Sequence, residues 1–337
     1  MLKVLRGVHW VARKAFERAG YRFEIRKAGD TKLGLWRMEF RKPKRGESSR
    51  RAVFVPGFGD TPLSWLWVMI TLQPVFRARF DEIIWVDYPG FAGALCDERC
   101  FSTLDELLVA TSDAFDSLRP ETIIAHSLGG WVSAWYAAEC AEGQRPKQRS
   151  GGYRGPSELV LVSPSGVFAS EAEKDDWANL FRSSYEVGFS TLRPRLFAKE
   201  PLWFRFVLEE FSGFTRREDI AGFMKSFKDI HRLDKRIEKI EASVWLVWGN
   251  RDELVPWTWH RTWLKHLKPN SEKPPRAVLL KGVGHSPQLE TPNLIAVVLG
   301  QILSGFPPHR AGSRWWELVE AEAEPKAMES VRNSKDL

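Results

Sequence analysis

Ser127 stands in Ala-His-Ser-Leu-Gly-Gly (125–130), between the short apolar run TIIA (122–125) and an Ala- and Trp-rich stretch at 128–142 that reads as a helix. A serine hydroxyl attacks poorly at neutral pH unless a base takes its proton and a carboxylate orients that base. Both partners follow, each just past an apolar run: Asp252 in WGNRDELVP and His285 in GVGHSPQLETP. A serine on a tight strand-to-helix turn needs small residues two before and two after it. Ala125 and Gly129 meet that need, with Gly130 beyond. The turn also sets Ser127 at a helix N-terminus, where backbone N–H groups favour a developing anion. Leu128 supplies one such amide. Phe58 is the candidate for a second, because Gly57 and Gly59 in AVFVPGFGD allow a close turn after a strand. The chemistry these residues suit is acyl transfer to serine.

Each residue also has a plainer use. Ser127 could cap a helix, Asp252 could cap the helix near Pro256, and His285 could be a satisfied core histidine. The ordered set outweighs those readings. The other usual place for the acid, after ELVLVS, offers only Ser163 and Ser165. Asp87 is read as structural, fixing the loop before Pro89 and Gly90. His126 flanks the serine with its side chain expected to point away, and His260 and His266 are expected on a solvated helix face.

The elements that must position these residues follow from the patterning. From Ala52 onward the apolar runs AVFV, EIIWV, TIIA, ELVLVS, SVWLVWG and AVLL alternate with helical stretches near 62–76, 103–118, 128–142, 256–268 and 291–304. Such runs suit strands buried on both faces of a parallel sheet. YRFEIRK and LGLWRMEF precede them as two joined strands, giving eight in all. Between about 166 and 241 no strand is convincing. Capping-box pairs at Ser170/Glu173 and Thr215/Glu218 and a first-turn Pro201 mark helices there. This insertion, after the sixth strand, reads as a helical cap rich in large rings. Most of those rings are expected to build the cap's core and the rest to line an apolar pocket. The division is therefore an N-terminal helix at 1–20, a core at 21–165 and 242–305, a cap at 166–241, and a tail at 311–337 with a short helix. The polar loop 141–158 is expected to be mobile.

The net charge of +7 is uneven: residues 1–51 carry +11 and the remainder −4. A mildly acidic body argues against nucleic-acid binding. The basic 1–20 helix is read first as packed on the body with its charges solvated. The other reading is peripheral contact with anionic lipid. No apolar run is long enough to span a bilayer, and the N-terminus lacks the apolar region of a secretory signal. Cys96, Cys100 and Cys140 offer no disulfide framework, and Cys96 and Cys100 lack the second pair that zinc needs. A cytoplasmic location fits these features.

The pieces PGFG (56–59), DYPGFAGA (87–94), AHSLGG (125–130), WGNRDELVP (248–256) and GVGHSPQLETP (282–292) together resemble the α/β-hydrolase superfamily of serine hydrolases with a helical cap, over about residues 21–305. The resemblance implies Ser127 as nucleophile, Asp252 as acid, His285 as base, and Phe58 and Leu128 as the oxyanion pair. Gly57, Gly59, Ala125, Gly129 and Gly130 would support loop and elbow. It departs at Pro56, where many relatives have His, and at Ala125, where they have Gly. It implies hydrolysis of apolar acyl or aryl esters with no metal or organic cofactor. A carbon–carbon bond hydrolase or perhydrolase with the same triad is the enzymatic alternative, and a ligand-binding protein on this fold is the non-enzymatic one. Epoxide hydrolases and haloalkane dehalogenases carry Asp at the position of Ser127.

Overall fold

The computed structural model describes residues 7, 13–28, 31–44, 46–95, 98–145, 152–206, 208–267, 274–308 and 313–321. Nine strands form one sheet: β1 (Arg22–Ala28), β2 (Thr31–Glu39), β3 (Arg51–Val55), β4 (Glu82–Asp87), β5 (Thr122–His126), β6 (Glu158–Val162), β7 (Ser243–Gly249), β8 (Arg276–Leu280) and β9 (Trp316–Glu320). Their order is β1-β2-β4-β3-β5-β6-β7-β8-β9. From β4 to β8 every pairing is parallel, while β1, β2 and β9 run antiparallel to their neighbours.

All residues of β4, β5, β6 and β7 are buried. That is why these strands read as unbroken apolar runs rather than as alternating ones. Successive side chains still go to opposite faces. Ile84 and Val86 join the core beneath the helices Leu104–Leu118 and Leu128–Ala141, and Ile83 and Trp85 join the core beneath Leu66–Arg79 and Pro292–Leu303.

Two expectations about the sheet's end need correction. The sheet has nine strands, not eight, and the tail's first described element is a strand, not a helix. Trp316–Glu320 pairs antiparallel with β8, Leu318 opposite Val278. Leu318 and Val319 pack against the two opposite faces of the sheet, and the open edge of β8 supplies the ladder that settles the choice.

Between β6 and β7 the described residues form helices and turns and no strand. Glu171–Glu186 starts as the pattern predicts, with the Ser170 side chain accepting from the Glu173 N–H. The Thr215/Glu218 capping box does not form. Thr215 closes the helix Leu208–Thr215 and donates to the Ser212 carbonyl, and Arg217 is the residue that caps Glu218–Lys225. These helices are tied to the sheet layer by polar bonds: Arg217 donates to the carbonyls of Gly90 and Glu98, Ser226 Oγ accepts from the Leu104 N–H, and His231 Nε2 lies 2.8 Å from Asp105.

Of the N-terminal arm, residues 13–18 are helical, and buried Phe16 packs edge-on to Tyr21 and against Trp36. Residues 1–6 and 8–12 of the expected 1–20 helix lie outside the described residues, as do Cys96, the middle of the 141–158 loop and the tail beyond 321. No described helix is long and apolar enough to cross a membrane.

Candidate active site

Three chain ends at the carboxyl edge of the sheet meet here. At the end of β5 the backbone turns at Ser127, with φ 52° and ψ −117°, into the helix Leu128–Ala141. Few non-glycine residues adopt a positive φ, and those that do are held by their surroundings. The Ser127 N–H donates to the Val162 carbonyl, and the Ser127 carbonyl accepts from the Ser165 and Trp131 amides. The turn closes only because its neighbours are small. A Cβ on Gly129 would lie 2.5 Å from the carbonyl oxygens of Val55 and Pro56, and one on Gly130 would lie 2.7 Å from Pro164 Cβ. The obstacle at Gly129 is backbone, which cannot swing aside. Gly129→Ala is expected to cost about 3 kcal/mol, read as a lower urea midpoint with an unchanged slope.

Asp252 follows β7 and is buried. Its Oδ1 accepts from the Leu254 and Val255 amides at 3.0 and 2.9 Å, which leaves Oδ2 for His285 Nδ1 at 2.8 Å. His285 follows β8, and its Nε2 is 3.0 Å from Ser127 Oγ. With Nδ1–H donated to the carboxylate, Nε2 is left to accept the serine proton. Asp252 does not cap the helix near Pro256, whose N-cap is Pro256 itself: one oxygen closes its own turn and the other reaches the histidine.

Gly57 lets the loop after β3 cross directly over the elbow, since a Cβ there would lie 2.9 Å from His126 Nδ1 and 3.1 Å from Ser127 Cβ. Phe58 follows and lines the same cavity as Ser127, and Leu128 is the first residue of the elbow helix. First-turn amides have no intrahelical partner. Gly59, at φ +67°, brings the loop under Phe214 of the cap, whose Cε1 would be 2.9 Å from an added Cβ. Ala125, in the position where relatives carry Gly, is buried in β5 opposite Val55 and Leu161.

The cavity beside Ser127 is narrow, about 90 Å³, and is walled by cap rings such as Phe181, Phe197, Phe204 and Phe211. A larger open groove of about 730 Å³ lies at the other end of the strands, among Arg79, Glu158, Trp245 and Arg276. It holds none of the three residues above. Ligands of open α/β sheets bind at the carboxyl ends of the strands, which favours the smaller cavity.

Sequence reasoning misplaced two histidines. His126 does not point away: its ring lies 4.9 Å from that of His285, and its Nε2 donates to the His285 carbonyl at 2.9 Å. Its Nδ1 is 3.4 Å from Asp60 and 3.5 Å from the Gln288 amide. Period two puts residue 126 on the same face as Ile124, and the His285 loop folds over that face. His260 is buried, not solvated. It shares a helical stripe with Trp263, Leu264 and Leu267, donates Nδ1–H to the Trp257 carbonyl, and burial lowers its pKa. His266 is half-buried.

Two carboxylates support the site from behind. Glu290 accepts from the amides of Gly284, Ala198 and Lys199, so it fastens the His285 loop to the cap. Burial raises its pKa against those three bonds. The sequence held a weak sign of it in GHSPQLE, an acid one helical turn past the histidine. Asp87, as expected, fixes the loop after β4. Its Oδ2 accepts from the Ala94 amide and the Trp36 indole. Its other oxygen is buried without a partner.

Burial lifts the Asp87 carboxyl from its usual 3.8 to about 6. The folded chain therefore holds a proton that the unfolded chain releases, and this group's contribution to stability is full below pH 4 and lost as the pH rises through 6. Asp87→Asn removes that dependence. Its stability relative to the parent is expected to rise by about 3 kcal/mol between pH 4 and pH 8, measured by urea denaturation at both values.

Among models of known protein families, the one described as the alpha/beta hydrolase family matches residues 52–297. The chain belongs to that family. No curated protein matches this hydrolase in sequence. Solved structures resemble it at low identity. A bacterial membrane phospholipase A matches with a TM-score of 0.63 at 20% identity, over 90% of this chain and 92% of its own. An esterase from Exiguobacterium antarcticum gives 0.62 at 16%, over 84% and 100%. The 2-hydroxy-6-oxo-6-phenylhexa-2,4-dienoate hydrolase of Rhodococcus sp. strain RHA1 gives 0.61 at 15%, over 85% and 99%. At such identities the likeness is one of fold, and this hydrolase shares its mostly parallel, helix-flanked sheet with all three. Among its described residues, no three His, Cys, Asp or Glu side chains group as metal ligands.

Proposed function

We propose that this hydrolase cleaves carboxylic esters with apolar acyl or aryl groups through an acyl-enzyme on Ser127. The observation that carries the reading is the unbroken chain of hydrogen bonds from Asp252 through His285 to Ser127, at 2.8 and 3.0 Å, ending in an apolar cavity. Ser127 Oγ attacks the ester carbonyl carbon while its proton passes to His285 Nε2. The negative charge on the carbonyl oxygen is met by the Phe58 and Leu128 amides. Asp252 steadies the imidazolium. As the tetrahedral adduct collapses, the carbon–oxygen bond to the alcohol breaks and the His285 proton goes to the leaving oxygen. Water then gives a proton to His285 and attacks the acyl-enzyme, releasing the acid and restoring Ser127.

The narrow cavity supports a preference for short acyl groups. A series of p-nitrophenyl esters from acetate to palmitate tests both points, and kcat/KM is expected to be highest at the short end. A fluorophosphonate that labels Ser127 in an enzyme inert toward every ester would turn the reading to carbon–carbon bond hydrolysis by the same triad. No label and no turnover would leave a binding protein.

A further inference from the structure

The cap turn Leu202–Phe206 has one inward and two outward faces. It is a 3-10 helix, with three residues per turn, so residues three apart eclipse. Phe204 alone faces inward, where it is buried and walls the cavity beside Ser127. Trp203 and Phe206 share a second face, and Leu202 and Arg205 share the third. Leu202 is 82% exposed, Phe206 65% and Trp203 46%. Isolated exposed apolar residues are ordinary, but three on five consecutive positions are a patch.

Cations ring this patch. The Arg205 guanidinium sits 4.9 Å over the Phe206 ring, and Lys199 and Arg195 are exposed just before the turn. Among the described residues, no salt bridge is made by Arg195 or Arg205, the Lys199 charge acts on Glu290, and Glu200 is taken by Arg193. Apolar and indole side chains beside exposed cations match the boundary between acyl chains and anionic headgroups. The segment just before the turn is held to the His285 loop: the His285 N–H donates to the Leu196 carbonyl, and Glu290 holds the Ala198 and Lys199 amides.

We propose that residues 199–206 dock this hydrolase on an anionic lipid surface, Leu202, Trp203 and Phe206 entering the acyl boundary and Lys199 and Arg205 meeting headgroup phosphates. Docked in this way, the wall formed by Phe204 lies between the lipid and Ser127, and the esters presented are short-acyl esters partitioned into the membrane. That last step rests on the ester-hydrolase reading; the docking itself does not.

The test is sedimentation of the full chain with phosphatidylcholine vesicles, with and without about one-third phosphatidylglycerol, at low and high salt. Binding is expected to favour the anionic vesicles and weaken with salt. The triple variant Leu202→Ser, Trp203→Ser, Phe206→Ser is expected to bind at least about tenfold more weakly. Its turnover of p-nitrophenyl acetate should be unchanged, since none of the three lines the cavity. Phe206→Leu should keep most of the binding. A parent chain that ignores both vesicles, or a triple variant that binds as the parent does, overturns the proposal. So does a parent dimer that the triple variant converts to monomer without any vesicle binding, which would assign the patch to a second copy. Vesicle binding that responds as expected in a chain inert toward esters upholds the docking and overturns only the ester reading.

Discussion

Ser127→Ala is expected to lower ester kcat/KM by roughly 10⁴- to 10⁶-fold, with the melting temperature nearly unchanged. Alanine keeps the Cβ, so the backbone at φ 52° is as strained as before, and only the atom that attacks is lost. Ser127→Gly is the companion experiment. Glycine accepts positive φ without a steric penalty, so it should be equally inactive but about 1–3 kcal/mol more stable than the alanine variant. Stability that rises on removing a residue, together with activity that vanishes, would mark Ser127 as held in place for chemistry. A merely capping serine, whose loss costs stability and spares turnover, would give the opposite pair of results.

Asp252→Asn is expected to lower kcat by about 10³- to 10⁴-fold with KM little altered. The Leu254 and Val255 amides both donate to one oxygen, so the asparagine carbonyl must stay there and its NH₂ must face His285 Nδ1. An NH₂ donor forces Nδ1 to accept, which moves the ring proton to Nε2 and blocks acceptance from Ser127. The turn itself keeps both of its bonds, so the fold should survive. Pre-steady-state release of p-nitrophenol checks the assignment: the loss should appear in the acylation burst. An unchanged burst amplitude and rate would remove Asp252 from the mechanism.

What local sequence could convey was the elbow and its order along the chain. The small residues around Ser127 are dictated by contacts a few residues away, and Asp252 and His285 each sit just past a run that can only be a buried strand. The unbroken apolar runs likewise announced a parallel sheet. What the sequence withheld depends on distant partners. His126 looks like any strand-end polar residue until the loop from β8 folds over it. Glu290 matters because cap amides nearly a hundred residues earlier in the chain come to it. His260 is buried because the stripe it shares with Trp263 and Leu267 faces the core, and a histidine on its own does not announce which face it takes. β9 lacks the unbroken apolar run of the other strands, carrying Glu317 and Glu320, and its strand state depends on the edge of β8. Thr215 and Glu218 have the spacing of a capping box, but the preceding helix continues through the threonine.

The three amides gathered by Glu290 make the helical segment between β6 and β7 and the His285 loop a single thermodynamic unit. Gly284 lies one residue from the base, while Ala198 and Lys199 belong to the cap, and the Leu196 carbonyl adds a fourth bond to His285 itself. A displacement of that cap segment must stretch bonds that set the height of the imidazole above Ser127. By reciprocity, a ligand that tightens the Ser127–His285 geometry must make the cap harder to lift, by the same free energy. On the proposed ester-hydrolase reading, admission of substrate and readiness of the base are one equilibrium seen from two ends, and a substitution at Glu290 is expected to shift both together.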